Sequence, residues 1–295
     1  MIYTISVISS TGYPFFFKII HRIPKAVDLH LRFYDFCNSE QSSTDYVEGF
    51  ELFAGLISAL SEFSRLLGQK LELLKFKDQK KRPLNRNEDN SRLIRNPIYP
   101  VEIPTGADAI INCQNERFLD PVAVEVKINI IFYNILLSKL PLGPDKLITE
   151  DEEIFIVDII DDRKAKERLK PLKKDLKKEV HNILVDYEKY GIIGLAITSF
   201  DYSPIAIYNI QKFDLFKLLR DIGRLPRVHS FNWKHRTGFI EKKPRHLYIV
   251  NSGIGVVIDD VFMPYYYLLV CKPESYLAEI PRQIYERLNP IIDPD

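Results

Sequence analysis

Residues 2–9 and 13–20 each read as an apolar, strand-like run, and Ser10-Thr11-Gly12 lies between them. Successive strand side chains point to opposite faces, and Gly12 can take the positive φ of a tight turn, so a β-hairpin opens the chain. Beyond a polar stretch at 38–45 the period changes. Phe50, Phe53, Ile57, Leu60, Phe63 and Leu67 recur at spacings of three and four. That spacing puts one apolar face on a helix over 46–67, with Thr44 or Asp45 as its N-cap and Gly68 as its stop. A strand over 71–77 follows.

Residues 78–100 lose periodicity and collect basic residues among Asn, Asp and Pro, the pattern of a loop or insertion. β-rich runs at 109–113, 122–131 and 153–160 predict three strands. A Lys-rich helix is then expected over 163–189, kinked or broken at Pro171 because proline lacks the amide hydrogen and crowds the preceding turn. After Gly191 the opening pattern returns. Residues 195–210, LAITSFDYSPIAIYNI, lie over residues 5–20, ISVISSTGYPFFFKII, so that Ser199 meets Ser9 and Pro204 meets Pro14. Two hairpins of one length suggest a degenerate duplication. The second segment continues with a helix at 213–223, a basic aromatic loop at 224–246, strands at 247–250, 255–258 and 265–271, and a helix at 275–288.

Composition narrows the classes. With 295 residues and 46% hydrophobic content, the chain has the length of two domains and enough apolar surface for a packed core. The net charge of +1 creates no global field, so an anionic partner must meet a local patch. Cys37, Cys113 and Cys271 are scattered and odd in number, which argues for ordinary thiols over a disulfide framework or a zinc cluster. The chain opens without a basic leader. Its longest apolar run, 128–137, is interrupted by Asn129 and Asn134 and is short for a bilayer. A cytoplasmic protein with at most peripheral membrane contact is expected.

Hairpin, long helix, three strands and closing helix is an order similar to that of the longin/roadblock superfamily. MIYTISVISSTGYPFFFK resembles the first hairpin of longin domains. LFAGLISALSEFSRLLGQKLELLKF, residues 52–76, resembles their first helix and third strand, and EIFIVDIIDD with the helix after it resembles their last strand and closing helix. The resemblance implies an α/β fold of two longin-like domains, each a mostly antiparallel sheet flanked by helices. They would span 1–190, with an insertion at about 78–121, and 191–295. It also implies a non-enzymatic scaffold without a cofactor. Its partner would be a small Ras-like GTPase or another longin/roadblock protein, in a vesicle-traffic or exchange-factor setting. Small residues Ala54, Gly55 and Ser58 would let the first helix approach a partner closely.

A competing pattern lies in residues 106–127, GADAIINCQNERFLDPVAVEVK. Asp108, Glu125 and Lys127 resemble the PD-(D/E)xK nuclease core, in which the two carboxylates hold Mg²⁺ and the lysine positions the attacking water. Glu125 and Lys127, two apart on a strand, would share a face, and hard oxygen ligands suit Mg²⁺. The expected loop 224–246 supplies a separate candidate surface: Arg227, Trp233, Lys234, Arg236, Lys242, Lys243 and Arg245 interleave cations with aromatics. Such a mixture suits phosphate with base stacking, an anionic membrane surface or an acidic protein patch. No phosphate-binding GxxxxGK[ST] run is present, and the six histidines show no metal-ligand spacing.

Overall fold

The protein is described by a computed structural model over residues 1–9, 12–24, 27–36 and 109–294. The helix expected over 46–67, the strand over 71–77 and the basic stretch after it lie outside the described residues, as do Ala54, Gly55, Ser58 and Asp108. The fold is α/β, with helices packed against two antiparallel sheets. The first sheet contains β1 (Ile2–Ile8), β2 (Pro14–Ile19), β3 (Leu29–Asp35) and β4 (Ile110–Glu116) in the order β2-β1-β4-β3. The second contains β5 (Ile192–Thr198), β6 (Pro204–Tyr208), β7 (Trp233–Ile240), β8 (Lys243–Ile258) and β9 (Val261–Cys271) in the order β6-β5-β9-β8-β7. Between the sheets in sequence come α1 (Pro121–Ile131), α2 (Glu150–Ile160), α3 (Arg163–Leu169) and α4 (Lys173–Asp186). Helix α5 (Lys212–Ile222) links β6 to β7, and α6 (Ile280–Ile292) follows β9.

The two sheets share a pairing scheme. In the first hairpin Ile5 pairs with Lys18, Ser6 with Phe17, Val7 with Phe16 and Ile8 with Pro14, the register shifting between Val7 and Ile8. In the second, Leu195 pairs with Tyr208, Ala196 with Ile207, Ile197 with Ala206 and Thr198 with Pro204, with the shift between Ile197 and Thr198. The gapless sequence overlay of the two hairpins is therefore also an overlay of their ladders. β4 lies against β1 as β9 lies against β5, again with a matched irregularity, between Ile2 and Thr4 and between Ile192 and Gly194. One difference of order separates them. The strand next to β4 is β3, which follows the first hairpin in sequence, whereas the strand next to β9 is β8, which follows α5 and β7.

Several expected elements take another form. Residues 122–131, expected as a strand, form helix α1: Asp120 accepts a hydrogen bond from the Val122 amide as N-cap, and Pro121 occupies the first turn. The run VAVEVKI satisfies a period of two, but the helix is buried on nearly all sides, so the 3.6-residue period leaves no polar stripe. Residues 153–160 are likewise helical within α2. A capping box between Thr149 and Glu152 starts that helix, and four acidic residues in its first turn favour its positive end. The helix expected over 163–189 breaks around Pro171 into α3 and α4. The expected loop 224–246 is largely the antiparallel ribbon β7–β8. β3 was not among the expected strands, although Leu29, Leu31 and Phe33 alternate with His30, Arg32 and Tyr34.

Buried apolar residues of both sheets and of the intervening helices belong to one contiguous core. With its π and 3₁₀ continuation, α1 runs over Pro121–Lys139, which by length and composition is long enough to cross a membrane, contrary to the length argument from sequence. More than half of that stretch is buried inside the protein. On β8, Gly255 faces Pro264 of β9 so closely that a Cβ would lie 2.0 Å from the Met263 carbonyl oxygen and 2.7 Å from the Pro264 Cα. Both are backbone atoms and neither can rotate away. Gly255→Ala is expected to destabilise the fold by about 3 kcal/mol through overpacking. Chemical denaturation checks this, and an unchanged midpoint would show that the strands can part without cost.

Candidate functional site

Two groups of charged residues stand apart, a buried seam and an exposed ribbon. At the seam, Lys127 projects from α1 with no exposed surface, and its Nζ lies 2.6 Å from Asp201 Oδ2 and 2.7 Å from Asp162 Oδ1. Asp201 sits in the β5–β6 turn, where its other oxygen accepts from Ser199 Oγ at 2.7 Å and from the Ser203 amide at 2.8 Å. Asp162 comes from the α2–α3 junction, held there with a φ of 55°. Two more pairs extend the seam. Arg220 of α5 grips Glu116 of β4 with two hydrogen bonds of 2.9 and 2.6 Å, and the Tyr3 hydroxyl also donates to Glu116. Arg227 donates to Asp120 at 2.8 Å, so the N-cap of α1 is tied to the second half of the chain.

Burial works against the charge of Lys127, but the two carboxylates outweigh it and raise its pKa above the ordinary lysine value. The carboxylates themselves separate. Burial, reinforced by the negative charge of Asp201, pushes the Asp162 carboxyl up to about 6. Asp201 is equally buried, yet the charge of Lys127 and hydrogen bonds from Lys127 and Ser199 hold it well below the usual carboxylate range. On acidification Asp162 therefore takes a proton before Asp201, which keeps its negative charge.

The nuclease arrangement expected at Glu125 and Lys127 requires both on one face of a strand. On α1 they stand about 200° apart around the axis at about 100° per residue. Glu125 is exposed, while Lys127 is enclosed by carboxylates. Asp108 lies outside the described residues, and among the described residues no group of three metal-ligating side chains assembles. The shared-face geometry behind that reading is absent.

The ribbon is built differently. β7 and β8 pair without interruption from Trp233–Val250 to Ile240–Lys243, and Glu241 and Lys242 turn the chain with φ of 49° and 65°. Strand alternation then sorts what the sequence interleaves. Trp233, His235 and Phe239 share one face, where the His235 ring lies 5.3 Å from Tyr248 and 5.7 Å from His246. Lys234, Arg236 and, across the ladder, Lys243 and Arg245 share the other face with Gly238. A Cβ at Gly238 would meet Ile222 and Leu218, so that second face is the one crossed by α5. Among the described residues, none of Lys234, Arg236, Lys242, Lys243 and Arg245 has a carboxylate at ion-pair distance; Arg236 and Arg245 donate to the neighbouring carbonyls of His235 and Pro244. Arg227, the remaining basic candidate, is committed to Asp120.

Sequence reasoning missed Glu116, Asp120, Asp162, Asp201 and Arg220. The Asp120-Pro121 pair was an available signal for a helix start. Asp162 and Asp201 gave none, since only the tertiary fold brings them to Lys127. Comparison of the chain with protein-family models, with curated proteins and with solved structures finds no match.

Two outcomes are expected from the seam. Lys127→Met leaves two carboxylates buried without their cation and is expected to cost about 3–5 kcal/mol, read by urea unfolding; a loss below about 1 kcal/mol would mean that water reaches the site. The folded pKa of Asp162, about 6, exceeds its ordinary value of 3.8. Between those values the folded chain keeps a proton that the unfolded chain has released, so this group withdraws stability as pH rises through the window. Asp201, depressed, contributes stability that is already present above its ordinary value and is lost only at lower pH. Asp162→Asn is therefore expected to gain stability relative to wild type from about pH 4 to pH 6. A pH-independent difference would contradict the titration.

Proposed function

We propose that the chain is a non-enzymatic binding module of the longin/roadblock kind, a cytoplasmic scaffold that recruits or regulates a small Ras-like GTPase. The observation that supports this most is the element order from β5 to α6: hairpin, helix, three consecutive antiparallel strands and a closing helix. The first sheet repeats the hairpin and its central neighbour in the same register. Because one fold hosts many functions, the surface has to carry the rest.

The perturbed charges of the seam satisfy one another inside the protein, where they hold elements together. What the described residues offer to a macromolecule is sheet edge. β2 and β6 end their sheets, and β2 turns Ile19 outward with 52% of its surface exposed, on the same strand face as the exposed Phe17 two residues before it. An extended partner segment can add to such an edge through main-chain hydrogen bonds while apolar side chains supply specificity. A second longin/roadblock chain would use the same edge geometry.

The test is retention of a panel of Ras-like GTPases on immobilised protein in GDP-bound, GTP-analogue-bound and nucleotide-free states, together with release of a fluorescent GDP. Binding of one GTPase in a preferred nucleotide state is expected. Ile19→Arg is expected to weaken it at least tenfold, about 1.4 kcal/mol, at an unchanged unfolding midpoint. If no panel member is retained in any state and no exchange rate changes, the reading fails.

A further inference from the structure

We infer that the side of the second sheet crossed by α5 is a docking surface for an anionic phospholipid bilayer. The inference stands on the ribbon and on α5, independently of GTPase binding. The ribbon directs Lys234, Arg236, Lys243 and Arg245 to that side, and among the described residues no carboxylate pairs with any of them. α5 adds to the same side. Leu218 and Ile222 face the ribbon at Gly238, so Phe213 and Lys217, one turn apart, lie on the outward part of the helix. Phe213 is 71% exposed with the Lys217 ammonium 6.0 Å from its ring centre, and Lys212 is exposed next to it. Among the described residues the acidic groups there are Asp214, Glu241 and Asp221, and Asp221 accepts a hydrogen bond from the Phe239 amide.

Three features favour a bilayer over other anionic partners. Protein interfaces are depleted in lysine at their centres, yet lysine predominates over arginine here. Single-stranded nucleic acid stacks successive bases on a row of aromatic platforms among the cations. The ribbon instead places Trp233, His235 and Phe239 on the opposite face from its Lys and Arg side chains, leaving Phe213 of α5 to the cationic side. An acidic peptide joining the sheet edge would need free main-chain groups on β7, but α5 already occupies the Phe239 amide through Asp221. A membrane asks for less geometry: each surface cation adds roughly fivefold in affinity, and a protruding aromatic residue can enter the interface.

The full chain is tested by co-sedimentation with vesicles of phosphatidylcholine alone or mixed with phosphatidylserine, at physiological and at high salt. Binding is expected only with the anionic vesicles and is lost at high salt. Reversing Lys234, Arg236, Lys243 and Arg245 together to Glu should reduce it at least tenfold, while Lys174→Glu with Lys178→Glu on α4 should leave most of it. Phe213→Ser keeps the charge and should still weaken binding severalfold. Circular dichroism establishes that each variant folds. Absence of binding to anionic vesicles overturns the inference, as does equal binding by the fourfold ribbon variant. Tighter binding of a single-stranded oligonucleotide than of the anionic vesicles, lost in the fourfold ribbon variant, would assign the surface to nucleic acid instead. Since the vesicles contain no GTPase, either result leaves the docking of a GTPase to its own test.

Discussion

A single ammonium group joins the parts of this fold. Lys127 is fully buried, and a lone buried cation costs several kcal/mol unless partners replace its water. Its two partners come from separate places, one from the α2–α3 junction and one from the turn of the second hairpin. Helix α1 can settle in the core only when those elements have arrived. The Glu116–Arg220 and Asp120–Arg227 pairs repeat the logic on either side of it, each linking the first sheet or its following helix to the second half. Such pairs are weak sources of net stability compared with apolar packing, but each is strongly selective against a wrong arrangement.

Much of the layout was legible along the chain because its signals are local. Both hairpins, helix α5 and the break at Pro171 follow from turn residues, apolar spacing and proline chemistry confined to a few neighbours. The misread segments, 122–131 and 153–160, are rich in β-branched residues and lie mostly or partly in the core, where a buried helix and a buried strand look alike by periodicity. Their start signals, Asp120-Pro121 and Thr149 with Glu152, carried the information that the apolar run did not. The candidate site was half legible. The cations of 234–245 were visible, whereas their separation from Trp233 and His235 depends on a strand that sequence reading took for a loop.

The division of charge has a functional sense. Ionisable groups with displaced pKa values often mark catalytic centres, but the same displacement arises in structural ion-pair networks. Here the displaced groups are interior fasteners. The groups open to partners are ordinary surface cations and sheet edges, which are the features the proposed binding role draws on.

The turn of the second hairpin has one further consequence. Tyr202 occupies the position of Gly12 in the first hairpin, with φ of 73° against 85°, and its amide donates to Ser199 as that of Gly12 donates to Ser9. Glycine adopts that conformation freely; a tyrosine gives up roughly 1–2 kcal/mol. The strain is held in place by the Tyr202 hydroxyl on the Pro226 carbonyl and by its ring against Tyr266, 4.6 Å between centroids. Asp201 is the adjacent residue. The aromatic packing thus works as a cocked spring, and any event that frees the Tyr202 ring would also relax the turn that presents Asp201 to Lys127.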